Sequence, residues 1–172
     1  LSDKNINLIV ACGNNGQIGK DNKLLWHIPE DFKHFKEKTT NSVIIMGRNT
    51  YESLPGMLPN RTHIVITSKE LEQKDNLYAV KSIEEAIHLS KKLVYSKDEA
   101  IWVIGGAQIY NEFIKRDLIN KIYLSSINYS GDADAYFDLR FLSSGRYTIK
   151  SAEYFEKKNN TPEWSLKIYE RI

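Results

Sequence analysis

Asp31 stands in the stretch Trp26-His27-Ile28-Pro29-Glu30-Asp31-Phe32-Lys33-His34-Phe35, one position before Phe32 and four before Phe35. Positions four apart are neighbours on a helix, so Ile28, Phe32 and Phe35 fall near one face and Asp31 borders it. A carboxylate against an apolar wall is costly to desolvate. Its pKa rises, and it can hydrogen-bond the polar edge of a ligand. Helix statistics alone favour a plainer role, an Asp in the first helical turn complementing the dipole in water.

Two further stretches share a design. Val43-Ile44-Ile45-Met46-Gly47 runs into Arg48-Asn49-Thr50, and Ile101-Trp102-Val103-Ile104-Gly105-Gly106 runs into Ala107-Gln108-Ile109-Tyr110. Each reads as a strand that ends on glycine and opens a helix. Glycine lets backbone approach a ligand closely. A helix N-terminus offers unpaired N–H groups and partial positive charge, which suits phosphate. Two such ends at one sheet edge could hold the two phosphates of a dinucleotide, with Arg48 adding a full charge. Either site taken alone is better read as a tight turn. The G-x-G-x-x-G fingerprint is missing, so an ordinary Rossmann site is not supported. Thr67-Ser68-Lys69 places hydroxyls and a lysine at another strand end, where a phosphate monoester could bind.

Other chemistries find no footing. His27, His34, His63 and His88 show no metal-ligand spacing, so no metal is expected. No G-x-S-x-G elbow is present. Cys12, the single cysteine, lies in the apolar run Ile6–Cys12 and reads as a small buried hydrophobe. A reducing, cytoplasmic setting fits it.

The elements that must position these groups follow from patterning. Strands are predicted over 6–12, 42–47, 62–67, 77–80, 100–105 and 121–127, with a polar, glycine-containing loop over 13–22. Helices are predicted over 29–39, 48–54, the stretch after Ser82, and 107–115. Pro29, Glu30 and Asp31 suit a first helical turn. Ser82-Ile83-Glu84-Glu85 matches a capping box, and Ile83, Ala86, Ile87 and Leu93 line the apolar side of the helix after it. The runs 147–156 and 164–172 predict a closing antiparallel hairpin, with Lys157–Glu163 too long for a tight turn. Several strands are apolar on successive residues, as expected when both faces are covered. The fold class is therefore α/β: a mostly parallel central sheet with flanking helices and an antiparallel C-terminal hairpin.

The 172 residues suffice for one domain over 1–172, and no repeat or low-complexity linker divides them. Hydrophobic residues make up 41% and charged residues 27%, which excludes a disordered chain. A net charge of +2, without a basic tract, gives no argument for nucleic acid or an anionic membrane. No stretch approaches a membrane span, and the N-terminal residues carry no long apolar signal segment. With no evident interface signal, a monomer is the default.

Taken together, these pieces resemble dihydrofolate reductase. The resemblance runs nearly end to end: LIVACGNNGQIGKDNKLLWHIPEDFKHFK, VIIMGRNTYESL, LPNRTHIVITS, IWVIGGAQIY, KIYLSSI and GDADAYF stand in the family's order and spacing. It implies NADPH-dependent reduction of 7,8-dihydrofolate to tetrahydrofolate, with antifolate inhibitors competing for the substrate site. It implies that Asp31 orients the pteridine ring and assists protonation beside the carbon that receives hydride. Trp26 would help order a water beside Asp31. Ile9, Val10, Phe32, Phe35, Thr50, Leu54, Ile104 and Ser125 would line the folate site, and Arg61 would bind the substrate's glutamate carboxylate. Ala11, Ile18, Gly19 and Tyr110 would border the nicotinamide. Gly47, Arg48, Asn49, Thr50, Gly105, Gly106, Ala107, Gln108 and Ile109 would surround the pyrophosphate. Arg48, Thr67, Ser68 and Lys69 would read the ribose phosphate. The resemblance also implies a cis Gly105-Gly106 peptide, a mobile lid over about 13–25, and support of that lid by Asp134.

Four positions depart from the family pattern. Leu25 replaces a proline before Trp26. Ser125 stands where a threonine usually partners the acid from the sixth strand, keeping the hydroxyl and losing the methyl, and Gln108 where a basic residue is frequent. Phe137-Asp138-Leu139-Arg140-Phe141 lacks the proline that often follows the first phenylalanine. Two alternatives stay open at this level. One is a pyrimidine reductase of riboflavin synthesis on the same fold, against which Arg61 argues, because that substrate has no glutamate tail. The other is a non-catalytic folate or nucleotide-binding module.

Overall fold

The structure is a computed structural model that describes residues 5–94, 96 and 99–172. In chain order it contains β1 (Ile6–Cys12), β2 (Gln17–Lys20), β3 (Lys23–Leu24), α1 (Pro29–Thr39), β4 (Val43–Gly47) and α2 (Arg48–Ser53). There follow β5 (Thr62–Ile66), β6 (Leu77–Val80), α3 (Ile83–Leu93), β7 (Ile101–Gly105), α4 (Ala107–Lys115) and β8 (Lys121–Ile127). The chain closes with β9 (Ala135–Tyr136), a 3-10 turn over Leu139–Ser143, β10 (Tyr147–Phe155) and β11 (Trp164–Arg171).

Eight strands form one sheet in the order β10-β11-β8-β1-β7-β4-β5-β6. Pairing is parallel from β8 across to β6, and β11 joins β8 antiparallel. Strands β1, β4, β5 and β7 therefore end at the same edge, where open α/β sheets collect ligands. The predicted mostly parallel sheet with an antiparallel terminal hairpin is the observed architecture.

The continuous apolar runs have the predicted cause. Ile6, Leu8 and Val10 of β1 pack with Val43, Ile45, Ile64 and Val103 against α3 and α4, through Ile83, Ala86, Phe113 and Ile114. Ile9, Ile44, Met46, Val65 and Trp102 point to the other face, where Phe35 of α1 and Tyr51 of α2 cover them. Side chains alternate along a strand, so two covered faces require apolar residues at every position.

The capping box forms in part. Ser82 Oγ accepts from the Glu85 N–H at 3.1 Å, but Glu85 Oε2 accepts from the Lys81 N–H at 3.0 Å rather than from Ser82. Helix α1 lacks a side-chain cap, and Pro29 spares it one N–H that would need a partner.

The loop predicted over 13–22 instead contributes β2 to a second, three-stranded sheet in the order β3-β2-β9. Asp21 and Asn22 both lie at positive φ, 52° and 62°, between β2 and β3. That is the requirement of a two-residue hairpin turn, and Asp-Asn was its signal in the sequence. Gly16, at φ 87°, enters this sheet so closely that a Cβ would stand 2.2 Å from the Phe137 carbonyl oxygen.

Candidate active site

The shared ends of β1, β4, β5 and β7 border a cleft of about 600 Å³. Gly47, Arg48, Asn49 and Thr50 line one wall, and Gly105, Gly106, Ala107, Gln108, Ile109 and Tyr110 another. Thr67 and Ser68 close one end, and Ala11, Ile18, Gly19 and Ile104 lie along the rest. Lys69 is not among the lining residues; it is exposed, and its N–H donates to Thr67 Oγ1 at 3.1 Å. Asn22, Lys23, Leu24, Ser53, Ile66, Asp134 and Ala135 also line the cleft. Of these, sequence reading placed Asn22, Lys23 and Leu24 in the lid and Asp134 as its support, and omitted Ser53, Ile66 and Ala135. Ile66 is the last residue of β5, a strand end of the same kind as Gly47, and could have been found on that ground.

The glycine cradles leave room only because no side chain is present. A Cβ on Gly105, whose φ is 134°, would stand 3.2 Å from Thr50 Oγ1, and one on Gly47 would stand 3.1 Å from Ile109 Cγ1. The Gly105-Gly106 peptide is cis. Neither α2 nor α4 has a side-chain cap at its N-terminus, so their first N–H groups are available to a ligand. Arg48 is held by Glu52 through Nε at 2.5 Å, while its buried Nη1 has no partner. An orphaned guanidinium nitrogen beside two glycine cradles fits a dinucleotide with an added phosphate.

Tyr110 is buried, with its hydroxyl 2.7 Å from the carbonyl oxygens of both Ile9 and Ile104. Its single hydrogen serves one of them at a time. Burial raises its pKa, with Cys12 and Asp31 adding to the effect, so it stays a neutral phenol. Cys12 is buried too, and desolvation pushes its thiol up to about 12 against the opposing charge of Lys167. It is inert packing, as predicted.

Asp31 sits one strand away from the cleft. Ala11, which lines it, is the register partner of Ser125 on β8, and Ser125 Oγ donates to Asp31 Oδ1 at 2.5 Å. The carboxyl is mostly buried, so burial raises its pKa and the Ser125 bond partly offsets the rise. The plainer expectation, a solvated dipole-complementing Asp, is overturned. The serine hydroxyl that replaces the usual threonine makes the bond.

Ile9, Ile104, Phe35 and Leu54 share one apolar cluster beneath α1 and α2. Phe32 is 43% exposed, with its ring 5.2 Å from His27. Val10 corrects an expectation. Its side chain is buried on the opposite face with Phe113 and Tyr110, so the alternation of β1 gives the wall Ile9 and not Val10. Trp26 is half-buried and packs edge-on to Tyr129 at 5.7 Å, in a cluster with Ile28, Ile127 and Trp164. Arg61 is 6% exposed; its Nε donates to the Pro59 carbonyl at 3.0 Å and its Nη1 to Thr39 Oγ1 at 3.1 Å.

The segment over the cleft is fastened from two sides. Asp134 Oδ2 accepts from the Asp21 N–H at 2.9 Å. Asn111 of α4 donates through Nδ2 to the Tyr136 carbonyl at 3.0 Å and accepts from the Asp138 N–H at 3.0 Å. Asp134 thus stands where the resemblance placed it, and Asn111 is an unforeseen second anchor. Among the described residues no group of His, Cys, Asp or Glu is arranged to hold a metal ion, and no helix is long and apolar enough to cross a membrane.

The model of the family described as dihydrofolate reductase matches residues 5–171 of this chain. The chain belongs to the dihydrofolate reductase family. A dihydrofolate reductase from Buchnera aphidicola subsp. Schizaphis graminum is 39% identical over 167 residues, 96% of this chain and 99% of the relative. One from Bacillus subtilis (strain 168) is 32% identical over 166 residues, 96% of this chain and 94% of the relative. Among solved structures, the dihydrofolate reductase from Enterococcus faecalis complexed with NADP(H) and RAB-propyl superposes with a TM-score of 0.80 at 28% identity. That superposition covers 99% of this chain and 98% of the neighbour. As a member of this family the chain is an enzyme, an NADPH-dependent oxidoreductase acting on dihydrofolate.

Proposed function

We propose that the cleft residues bind NADPH and that Asp31 manages the proton in the reduction of 7,8-dihydrofolate. The observation that carries this reading is the raised-pKa carboxyl of Asp31, tied to Ser125 one strand from the cleft. When bound, NADPH supplies the hydride that adds to the pteridine C=N carbon. The neighbouring nitrogen must gain a proton for the product to form. Asp31 holds the amino group and adjacent nitrogen of the ring through its carboxyl oxygens and favours the protonated ring nitrogen. Ser125 fixes the carboxyl by donating to Oδ1.

Ile9, Phe35, Leu54 and Ile104 would hold the flat ring and exclude water from it, with Phe32 closing the outer side. Trp26 would shape the same end through its packing with Ile28. Arg61 would take the carboxylate of the substrate's glutamate tail. Its guanidinium is already aimed by Pro59 and Thr39, so little freedom is lost on binding. Arg48, Thr67 and Ser68 would meet the ribose phosphate. Gly47, Gly105 and Gly106 would let backbone N–H groups reach the pyrophosphate. Strands β2 and β3 would act as the lid, with Asp134 holding the Asp21 turn in place.

The same reading makes residues 1–172 one domain and one chain the functional unit, in a reducing cytoplasmic setting, with antifolates competing for the Asp31 pocket. The test is loss of NADPH absorbance on adding 7,8-dihydrofolate, repeated with NADH. Prompt oxidation selective for NADPH is expected. Equal use of NADH would remove the ribose-phosphate role of Arg48, Thr67 and Ser68.

A further inference from the structure

Arg61, which the proposed function sets against the substrate carboxylate, is held from two directions. Its Nη1 donates to Thr39 Oγ1 at 3.1 Å, and Thr39 passes its own hydroxyl hydrogen to the Phe35 carbonyl at 2.8 Å. That arm is tied to the last turn of α1. The other arm ends on the Pro59 carbonyl, 3.0 Å from Arg61 Nε, in a segment outside any helix or strand.

Pro59 has no N–H and cannot anchor itself by donating. The preceding residue does so instead. The Leu58 N–H donates to Nε2 of His63 at 3.0 Å. His63 is fully buried in β5, in register with Ile44 on one side and Leu77 on the other. Acceptance at Nε2 requires a neutral ring with its hydrogen on Nδ1. That Nδ1 is buried and makes no hydrogen bond of normal geometry. Burial lowers the pKa of the imidazole most, and the nearby Arg61 charge acts in the same direction. The backbone at Arg61 and Asn76 opposes them.

We infer that His63 is a positioning residue for substrate binding: its Nε2 pins the Leu58 N–H and so fixes the Leu58-Pro59 segment, whose Pro59 carbonyl in turn aims the Arg61 guanidinium at the carboxylate of the folate tail. The inference rests on the proposed role of Arg61. It concerns only substrates that carry the tail.

The experiment measures KM and kcat for two substrates, 7,8-dihydrofolate and the tail-less 6-methyl-7,8-dihydropterin, in parent, His63→Leu, His63→Gln and Arg61→Ala proteins. His63→Leu should raise KM for dihydrofolate about tenfold, a change equivalent to about 1.4 kcal/mol. Its kcat on dihydrofolate, and both constants on the tail-less pterin, should match those of the parent. His63→Gln places a carbonyl oxygen where Nε2 was and should restore the dihydrofolate KM. If His63→Leu does not fold, His63→Phe keeps the ring and removes the acceptor, with the same readout expected. An unchanged KM, an equal loss on both substrates, or failure of Gln to restore would overturn the inference. If Arg61→Ala leaves the dihydrofolate KM unchanged, the carboxylate role of Arg61 fails and the inference with it. If Arg61→Ala discriminates between the substrates while the His63 variants do not, only the positioning role fails.

Discussion

Replacing Asp31 by asparagine keeps an acceptor oxygen for Ser125, now 2.5 Å from the carboxylate, and removes the ionisable proton. Activity and stability should then move in opposite directions. Burial raises the Asp31 pKa, and the Ser125 bond offsets it only in part. A carboxyl with a folded pKa above its unfolded value contributes stability that is fully present below the unfolded pKa. That contribution is lost as pH rises through the folded pKa. At neutral pH the buried charge therefore destabilises the fold, and Asp31→Asn should relieve it. The expected gain is about 1 kcal/mol, the usual size of a stabilising change at a functional position. For a chain of this length that corresponds to about 2–4 °C in Tm. The gain should shrink as pH falls below the unfolded carboxyl range, where both proteins are neutral at this position. Turnover should drop about a hundredfold to ten-thousandfold at neutral pH, the range for loss of a positioned acid–base group. It should recover in part at lower pH, where solvent protons reach the ring nitrogen. NADPH affinity should not change. Thermal unfolding at neutral and acidic pH, steady-state turnover and NADPH fluorescence titration test all of this. Near-normal turnover at neutral pH, or a Tm below that of the parent there, would refute the reasoning.

Arg48→Gln should weaken NADPH binding by about tenfold or more, since a charge-assisted phosphate contact is lost, and weaken NADH binding much less; fluorescence titration with both cofactors checks it. Gly16→Ala should destabilise the sheet of β2, β3 and β9, because a Cβ would meet the Phe137 carbonyl at 2.2 Å with φ at 87°. A cost of about 1–3 kcal/mol is expected from the strained backbone, read by chemical denaturation and by amide exchange over Gln17–Leu24. Ser82→Ala should cost about 1 kcal/mol through loss of the cap on α3, with kcat and KM unaltered; urea unfolding beside a turnover assay checks it.

Most of the elements were legible because their signals are local. Apolar runs, Pro29 at the first turn of α1, the Ser82 cap and the glycines that end β4 and β7 each act within a few residues. The same residues carried the resemblance, and with it the expected cofactor residues, of which Lys69 alone falls outside the cleft lining. The short strands β2, β3 and β9 were hidden, since β3 and β9 are two residues long and β2, Gln17–Lys20, lies in a polar stretch with no apolar run, unlike the equally short β6. The Asp-Asn turn was their one visible mark.

What the sequence by itself determined is therefore the set of chemical groups and the sheet that carries them: a carboxylate at Asp31, cations at Arg48 and Arg61, glycine cradles at strand ends, and apolar strands to be covered twice. The tertiary structure alone decided how those groups are tuned. Ser125 meets Asp31 across 94 positions of chain, a pairing that only the resemblance implied, and Thr39 meets Arg61 across 22. Whether Val10 or Ile9 faces the ligand wall depends on which face of β1 the helix α1 covers. His63 carries no motif, and becomes an anchor only because β4 and β6 bury it beside the Leu58 peptide. Such pairings depend on strand order and register, which are settled by burial summed over the whole sheet rather than by any local pattern.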